Sequence, residues 1–146
     1  MKIGVLALQG GVEEHMEMLK KCGVEAVEVR RPKDLEQVQA LIIPGGESTT
    51  IGKLVQRVSL DKAIKERYNK GMPIFGTCAG LILLAKEISK ETGSSKQFRL
   101  ELADVVVKRN GYGRQVDSFE TDILVDGIGK RPVSYTHLTL PTNREV

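Results

Sequence analysis

The chain has two cysteines and two histidines in 146 residues, and that scarcity narrows its chemistry. Cys22 and Cys78 fall in unrelated contexts, with no CxxC and no metal-ligand spacing, which argues against a disulfide framework or a zinc site. Neither a metal nor a cofactor is expected. No apolar run approaches the length of a membrane span. The N-terminal Met1-Lys2-Ile3-Gly4-Val5-Leu6 enters a strand pattern at once and lacks the cleavage site of a signal peptide. The formal charge of +3 is small and evenly spread, so neither nucleic acid nor an anionic membrane is expected as a partner. The phosphate-loop spacing G-x-x-x-x-G-K-S/T is absent, as are repeats and low-complexity tracts. A single-domain cytoplasmic enzyme with free thiols fits these absences most simply.

What is present centres on Pro73-Ile74-Phe75-Gly76-Thr77-Cys78-Ala79-Gly80, followed by the apolar Leu81 to Ala85. A short strand, Gly-x-Cys-x-Gly and an apolar helix make the pattern of a nucleophile elbow with Cys in place of Ser. The glycines relieve crowding in the turn, and the helix N-terminus favours the thiolate. The N–H of Ala79 is predicted to point where an oxyanion develops. Taken singly, the motif also fits a buried cysteine in a tight turn. A second loop shifts the balance. Pro44-Gly45-Gly46-Glu47-Ser48-Thr49-Thr50 follows a predicted strand, and its paired glycines suit an oxyanion nest. Its plain alternative is a turn in which Ser48 or Thr49 caps the next helix. One βα unit before a Cys elbow, it reads as the other half of an oxyanion site.

The remaining pattern alternates strands and helices. Strands are expected over Lys2–Leu8, Val24–Val29 and Ala40–Ile43, and helices over Val12–Cys22, Ile51–Val58 and Leu60–Asn69. A turn or short helix is expected from Pro32. The elbow helix is expected to reach Ser89, and a polar connection to span Glu91–Ser95. Leu102–Arg109 reads as a strand leaving the parallel set, 110–114 as a turn-rich excursion, and Ser118–Val125 as a last strand. Such alternation implies right-handed βαβ units and a parallel sheet. Ligands then bind beyond the strand carboxyl ends, where Gln9 to Gly11, Pro44 to Ser48 and the elbow all lie.

Four segments occur together and in order: Gly4 to Gly10, Pro44 to Thr50, Phe75 to Leu81, and Arg109-Asn110 with Gly113-Arg114-Gln115-x-Asp117-Ser118-Phe119. This set resembles the class I (triad) glutamine amidotransferases, and within them the glutaminase subunits of pyridoxal 5′-phosphate synthase, over about Lys2 to Gly127. The resemblance implies an α/β fold, a flavodoxin-like three-layer sandwich with a mostly parallel sheet, incomplete at the C-terminus. It also implies hydrolysis of L-glutamine to glutamate and ammonia, with ammonia passed to a (β/α)8-barrel synthase subunit. By the same resemblance Cys78 forms a glutamyl thioester, and the N–H groups of Gly46 and Ala79 make the oxyanion hole. Gly46, Glu47, Ser48 and Arg109 contact glutamine, and Gln9 and Gly10 belong to a subunit-interface loop.

Such a cysteine needs a histidine base oriented by a carboxylate. The family supplies both from a late His-Pro-Glu motif, which these 146 residues do not contain. His15, beside Glu14 on the first predicted helix, reads as surface or structural. His137 lies in a tail, Val133 to Val146, that resembles the translation of a transposase adapter used in sequencing libraries. The expectation is a truncated amidotransferase domain over 1–132 and a non-native tail over 133–146. Without its base this chain is expected to be inactive, and without the family's later strands to be poorly soluble or partly folded. Two alternatives remain: a glutaminase serving another synthase, as in histidine or purine synthesis, and a non-catalytic binding subunit with a vestigial Cys78. A redox or deglycase-like protein would not explain P-G-G-E-S-T-T beside R-Q-x-D-S-F.

Overall fold

Val5, Leu6, Val29, Leu41 and Ile43 are almost completely buried, and they are the apolar members of three short, adjacent strands. The computed structural model describes residues 1–89, 97–109, 119–125, 129–135 and 138–139. Strands β1 (Lys2–Leu6), β2 (Glu25–Val29), β3 (Ala40–Ile43) and β4 (Ile74–Gly76) form a parallel sheet in the order β2-β1-β3-β4. Helix α1 (Val12–Lys21) joins β1 to β2, a 3₁₀ turn (Pro32–Gln37) joins β2 to β3, and α2 (Ser48–Arg57) with α3 (Leu60–Asn69) joins β3 to β4.

That order has a consequence for the site. The chain steps one way from β1 to β2 and then back past β1 to β3. Right-handed crossovers in opposite directions place α1 on one face of the sheet and α2 and α3 on the other. The reversal between β1 and β3 is a topological switch point, where loops diverge and leave a crevice at the strand carboxyl ends. The fold is the predicted flavodoxin-like α/β arrangement, and the core lies between the sheet and its helices. Ile51 and Val55 of α2 and Leu60 and Ile64 of α3 enter it at helical spacing.

Several boundaries differ from expectation. Strand β1 stops at Leu6 rather than Leu8, and β2 starts at Glu25 rather than Val24. Helix α2 starts at Ser48, three residues earlier than Ile51, because Glu47 caps it. Helix α4 (Ala79–Leu84) stops well short of Ser89, and Ala85–Ile88 form strand β5. The reason is a competing partner. The carbonyls of Leu83 and Leu84, which a longer helix would have used, accept the N–H groups of Leu100 at 2.6 Å and Leu102 at 2.9 Å. The expected strand leaving the parallel set is β6 (Ala103–Arg109), which shares a separate sheet with β5 and β9 (Leu138–Thr139).

Contacts divide the chain into two units, Met1–Lys86 with Ser95–Asp104, and Glu87–Ser94 with Val105–Val146. The first holds the parallel sheet and the elbow. In the second, β7 (Phe119–Val125) pairs antiparallel with β8 (Gly129–Tyr135) from Val125 opposite Gly129 to Phe119 opposite Tyr135. Val133 to Tyr135, the start of the segment read as a non-native tail, are part of β8. The expected connection over 91–95 and the excursion over 110–114 lie outside the described residues.

Candidate active site at the strand carboxyl ends

Three neighbouring strands each deliver one loop to the same place. From β1, the loop through Gln9, Gly10 and Gly11 folds onto the loop that follows β3. The Gly11 N–H donates to the Gly45 carbonyl at 3.0 Å, and the Glu47 N–H donates to Gln9 Oε1 at 2.9 Å. Gly10 has φ +104°, and a Cβ there would lie 1.9 Å from the Gly45 carbonyl oxygen, so only glycine permits this approach. A trans peptide sets its C=O and N–H in opposite directions. Pinning the Gly45 carbonyl on the first loop therefore turns the Gly46 N–H away from it. A Cβ built on Gly45 would meet Cys78 Cβ at 3.3 Å and its sulfur at 4.0 Å, so this loop lies directly against the elbow.

The elbow has the geometry that its sequence implied. Cys78 adopts φ 51° and ψ −111°, strained for a residue with a side chain, and its thiol is free and exposed. The Thr77 N–H donates to the Ile43 carbonyl at 3.1 Å, extending the β3–β4 pairing to the nucleophile position. The Gly80 N–H donates to the Thr77 carbonyl at 2.9 Å, and those of Leu81 and Ile82 to the Cys78 carbonyl at 3.1 and 3.2 Å. Glycine at 76 and at 80 is a steric requirement. A Cβ at 76 would lie 2.7 Å from the Gly80 carbonyl carbon, and one at 80 would lie 2.0 Å from the Ile43 oxygen.

Glu47 does something the sequence did not reveal. Its carboxylate caps α2, accepting from the Thr49 N–H at 3.0 Å, the Thr50 N–H at 2.7 Å and the Thr50 hydroxyl at 2.6 Å. These donors, the Thr50 hydroxyl first, hold its pKa down to about 2 against an ordinary 4.5. The cap that the plain alternative gave to Ser48 or Thr49 is thus made by Glu47, and Ser48 is buried in the first turn. The capping signal was an acidic residue directly ahead of Ser-Thr-Thr. His15, read as surface or structural, is partly buried, and its Nε2 lies 3.0 Å from Thr77 Oγ1, one residue before Cys78. The available signal was its place in the first turn of a helix that starts from the site's own loop.

The structure thus brings together Gln9, Gly10, Gly46, Glu47, Cys78 and Ala79, with Ser48 buried beneath them. Arg109 ends β6 in the second unit, and its side chain lies outside what is described, as does His137. Among the described residues, no group of three or more His, Cys, Asp and Glu is placed to hold a metal ion.

Residues 5–145 match the profile of the SNO glutamine amidotransferase family. The chain belongs to that family. It is 49% identical over 146 residues to the "Pyridoxal 5'-phosphate synthase subunit PdxT" of Desulforamulus reducens, which covers all of this chain and 76% of that relative. The subunit of the same name from Carboxydothermus hydrogenoformans is also 49% identical over 146 residues, covering 100% and 74% respectively. A solved structure described as a glutamine amidotransferase superposes with a TM-score of 0.83 at 48% identity, over 92% of this chain and 70% of the other.

Proposed function

We propose that this chain is the glutamine-hydrolysing component of a pyridoxal 5′-phosphate synthase, with Cys78 as its nucleophile. The observation that carries the reading is the φ 51°, ψ −111° turn that holds the exposed Cys78 against Gly45 beside the switch point. The thiolate attacks the side-chain amide carbon of L-glutamine and forms a C–S bond. The oxyanion is received by the N–H groups of Gly46 and Ala79. Among the described residues those of Gly80, Leu81 and Ile82 are already bonded within the turn, which leaves that of Ala79 for the substrate. The C–N bond then breaks, the nitrogen takes up a proton and departs as ammonia, and water hydrolyses the thioester to glutamate. Gly46, Glu47, Ser48 and Arg109 are proposed to bind glutamine. Of these, Glu47 has its carboxylate committed to the α2 cap and its N–H to Gln9 Oε1, so its part is to hold the loop in place for its neighbours.

The ammonia acceptor is proposed to be a (β/α)8-barrel synthase subunit docking at Gln9 and Gly10. This fits the relatives' name as one subunit of a synthase. Two free, exposed thiols fit a cytoplasmic setting. Among the described residues no helix is long and apolar enough to cross a membrane. We also propose the domain boundary at residue 132. The family match runs to residue 145, and the likeness of Val133 to Val146 to adapter sequence is what favours the earlier limit.

A base must take the thiol proton and return it to the leaving nitrogen. His15 is engaged with Thr77, and the late His-Pro-Glu motif is not in these residues. A polypeptide limited to these 146 residues is expected to bind glutamine without turning it over. A glutamine analogue with an electrophilic ketone in place of the amide should alkylate Cys78 in preference to Cys22, and L-glutamine should protect. Glutamate release should stay at background. Labelling that L-glutamine does not slow would favour a non-catalytic subunit with a vestigial cysteine. Turnover above background would overturn the inactivity.

A further inference from the structure

Because Cys78 sits in a backbone conformation that a residue with a Cβ keeps only when its surroundings enforce it, what enforces it matters. Most of the ties are main-chain bonds to β3 or within the turn itself, through Ile43, Thr77, Gly80, Leu81 and Ile82. One tie is of another kind. The part-buried bond between His15 Nε2 and Thr77 Oγ1, at 3.0 Å, joins side chains 62 positions apart and reaches the elbow from α1, across the switch point. We propose that His15 is a positioning residue for Cys78, acting through Thr77 as a lateral strut that fixes where the sulfur points.

The chemistry of the pair supports a strut rather than a proton relay. A hydroxyl both donates and accepts, so either neutral tautomer of the ring makes the bond, and the imidazolium makes it as a donor. Thr77 is the residue whose backbone leads into the strained position, and its N–H and carbonyl are already fixed by Ile43 and Gly80. Holding its side chain removes the remaining rotation of that residue, and with it the freedom of the next Cα–Cβ bond. A nucleophile displaced by about 1 Å can lose on the order of a hundredfold in rate, so a small rotation here has leverage. The inference rests on the reading of Cys78 as nucleophile, and the test separates the two.

The experiment follows alkylation of Cys78 by iodoacetamide in the full 146-residue chain carrying Cys22→Ser, across a pH series, with circular dichroism as the control for folding. His15→Ala and Thr77→Val should each slow alkylation at near-neutral pH by about three- to tenfold, the loss of one hydrogen bond. The double variant should be no slower than the slower single, since both remove the same strut. His15→Gln, whose amide reaches about as far as Nε2, should recover the parent rate to within about twofold. A purely structural role would lower stability without this recovery. Thr77→Val, close to isosteric, carries the test if His15→Ala fails to fold. Additive losses, or single variants that react at the parent rate, overturn the proposal. A parent Cys78 that reacts no faster than Cys22 in a Cys78→Ser chain overturns the nucleophile reading, and this inference with it.

Discussion

Replacing Gly80 by Ala isolates the contact on which the elbow's position depends. A Cβ at residue 80 would stand 2.0 Å from the Ile43 carbonyl oxygen and 2.7 Å from its carbon, both main-chain atoms that cannot swing aside. Relief to 3.0 Å, below which such contacts essentially never occur, requires β3 and α4 to part by at least about 1 Å. That movement loosens Ala79, Leu83 and Leu84, all buried in the core cluster, and forfeits part of their dispersion energy. Overpacking of this kind costs about 1–3 kcal/mol where side chains can yield, and more where only backbone can. Against it stands the better helix propensity of alanine, about 1 kcal/mol. The net expectation is a loss of about 3 kcal/mol. With a urea slope of about 2 kcal/mol/M, the unfolding midpoint should fall by about 1.5 M. Gly71→Ala is the control, since φ there is +92° but nothing lies within 4 Å of the added carbon. It should cost only the left-handed penalty of about 1–2 kcal/mol. A Gly80→Ala midpoint equal to or above that of the parent would refute the packing argument, because propensity would then have outweighed the overlap.

Two further outcomes follow from features already described. Glu47→Ala removes the α2 cap and should lower stability by about 1 kcal/mol at neutral pH. Because the folded-state pKa is depressed to about 2, that contribution is present above the ordinary 4.5 and is lost as pH falls through about 2. The gap in thermal midpoint between parent and variant should therefore close over that window, and a gap that persists unchanged into strong acid would refute the assignment. For the proposed domain limit, contiguous sequencing of the native gene across codon 132 should show a frame that departs from Val133–Val146. Recovery of those codons followed by a stop would instead make them part of the protein.

Much of the site was legible because its signals are local. Gly-x-Cys-x-Gly after a three-residue strand dictates a turn too tight for side chains, and the structure shows Cys78 with positive φ at that corner. The parallel sheet was legible from the apolar runs Val5-Leu6 and Leu41-Ile43, which suit strands covered on both faces, and from the alternation over Val24–Val29. What stayed hidden depended on distant partners. Nothing within Ala85 to Ser89 says that α4 must end at Leu84. The N–H groups of Leu100 and Leu102 decide that from sixteen or more positions away. The α2 cap by Glu47 was missed because capping by glutamate is less common than by Ser or Thr. The bond from His15 was not foreseen because its partner is 62 residues downstream.

The strand order β2-β1-β3-β4 also sets when the site can exist during synthesis. Gln9, Gly45 and Cys78 lie in the loops that follow adjacent strands, which run only about 5 Å from one to the next, yet they leave the ribosome far apart in time. At about 5–20 residues per second, the first loop waits several seconds for the elbow. Until Ile74 to Gly76 pair with β3, the Gly80 carbon has no Ile43 carbonyl to rest on, and nothing imposes positive φ on Cys78. Cys78 is thus an ordinary, unstrained residue on the nascent chain, and it acquires its distinctive geometry only with the closing of the fourth strand.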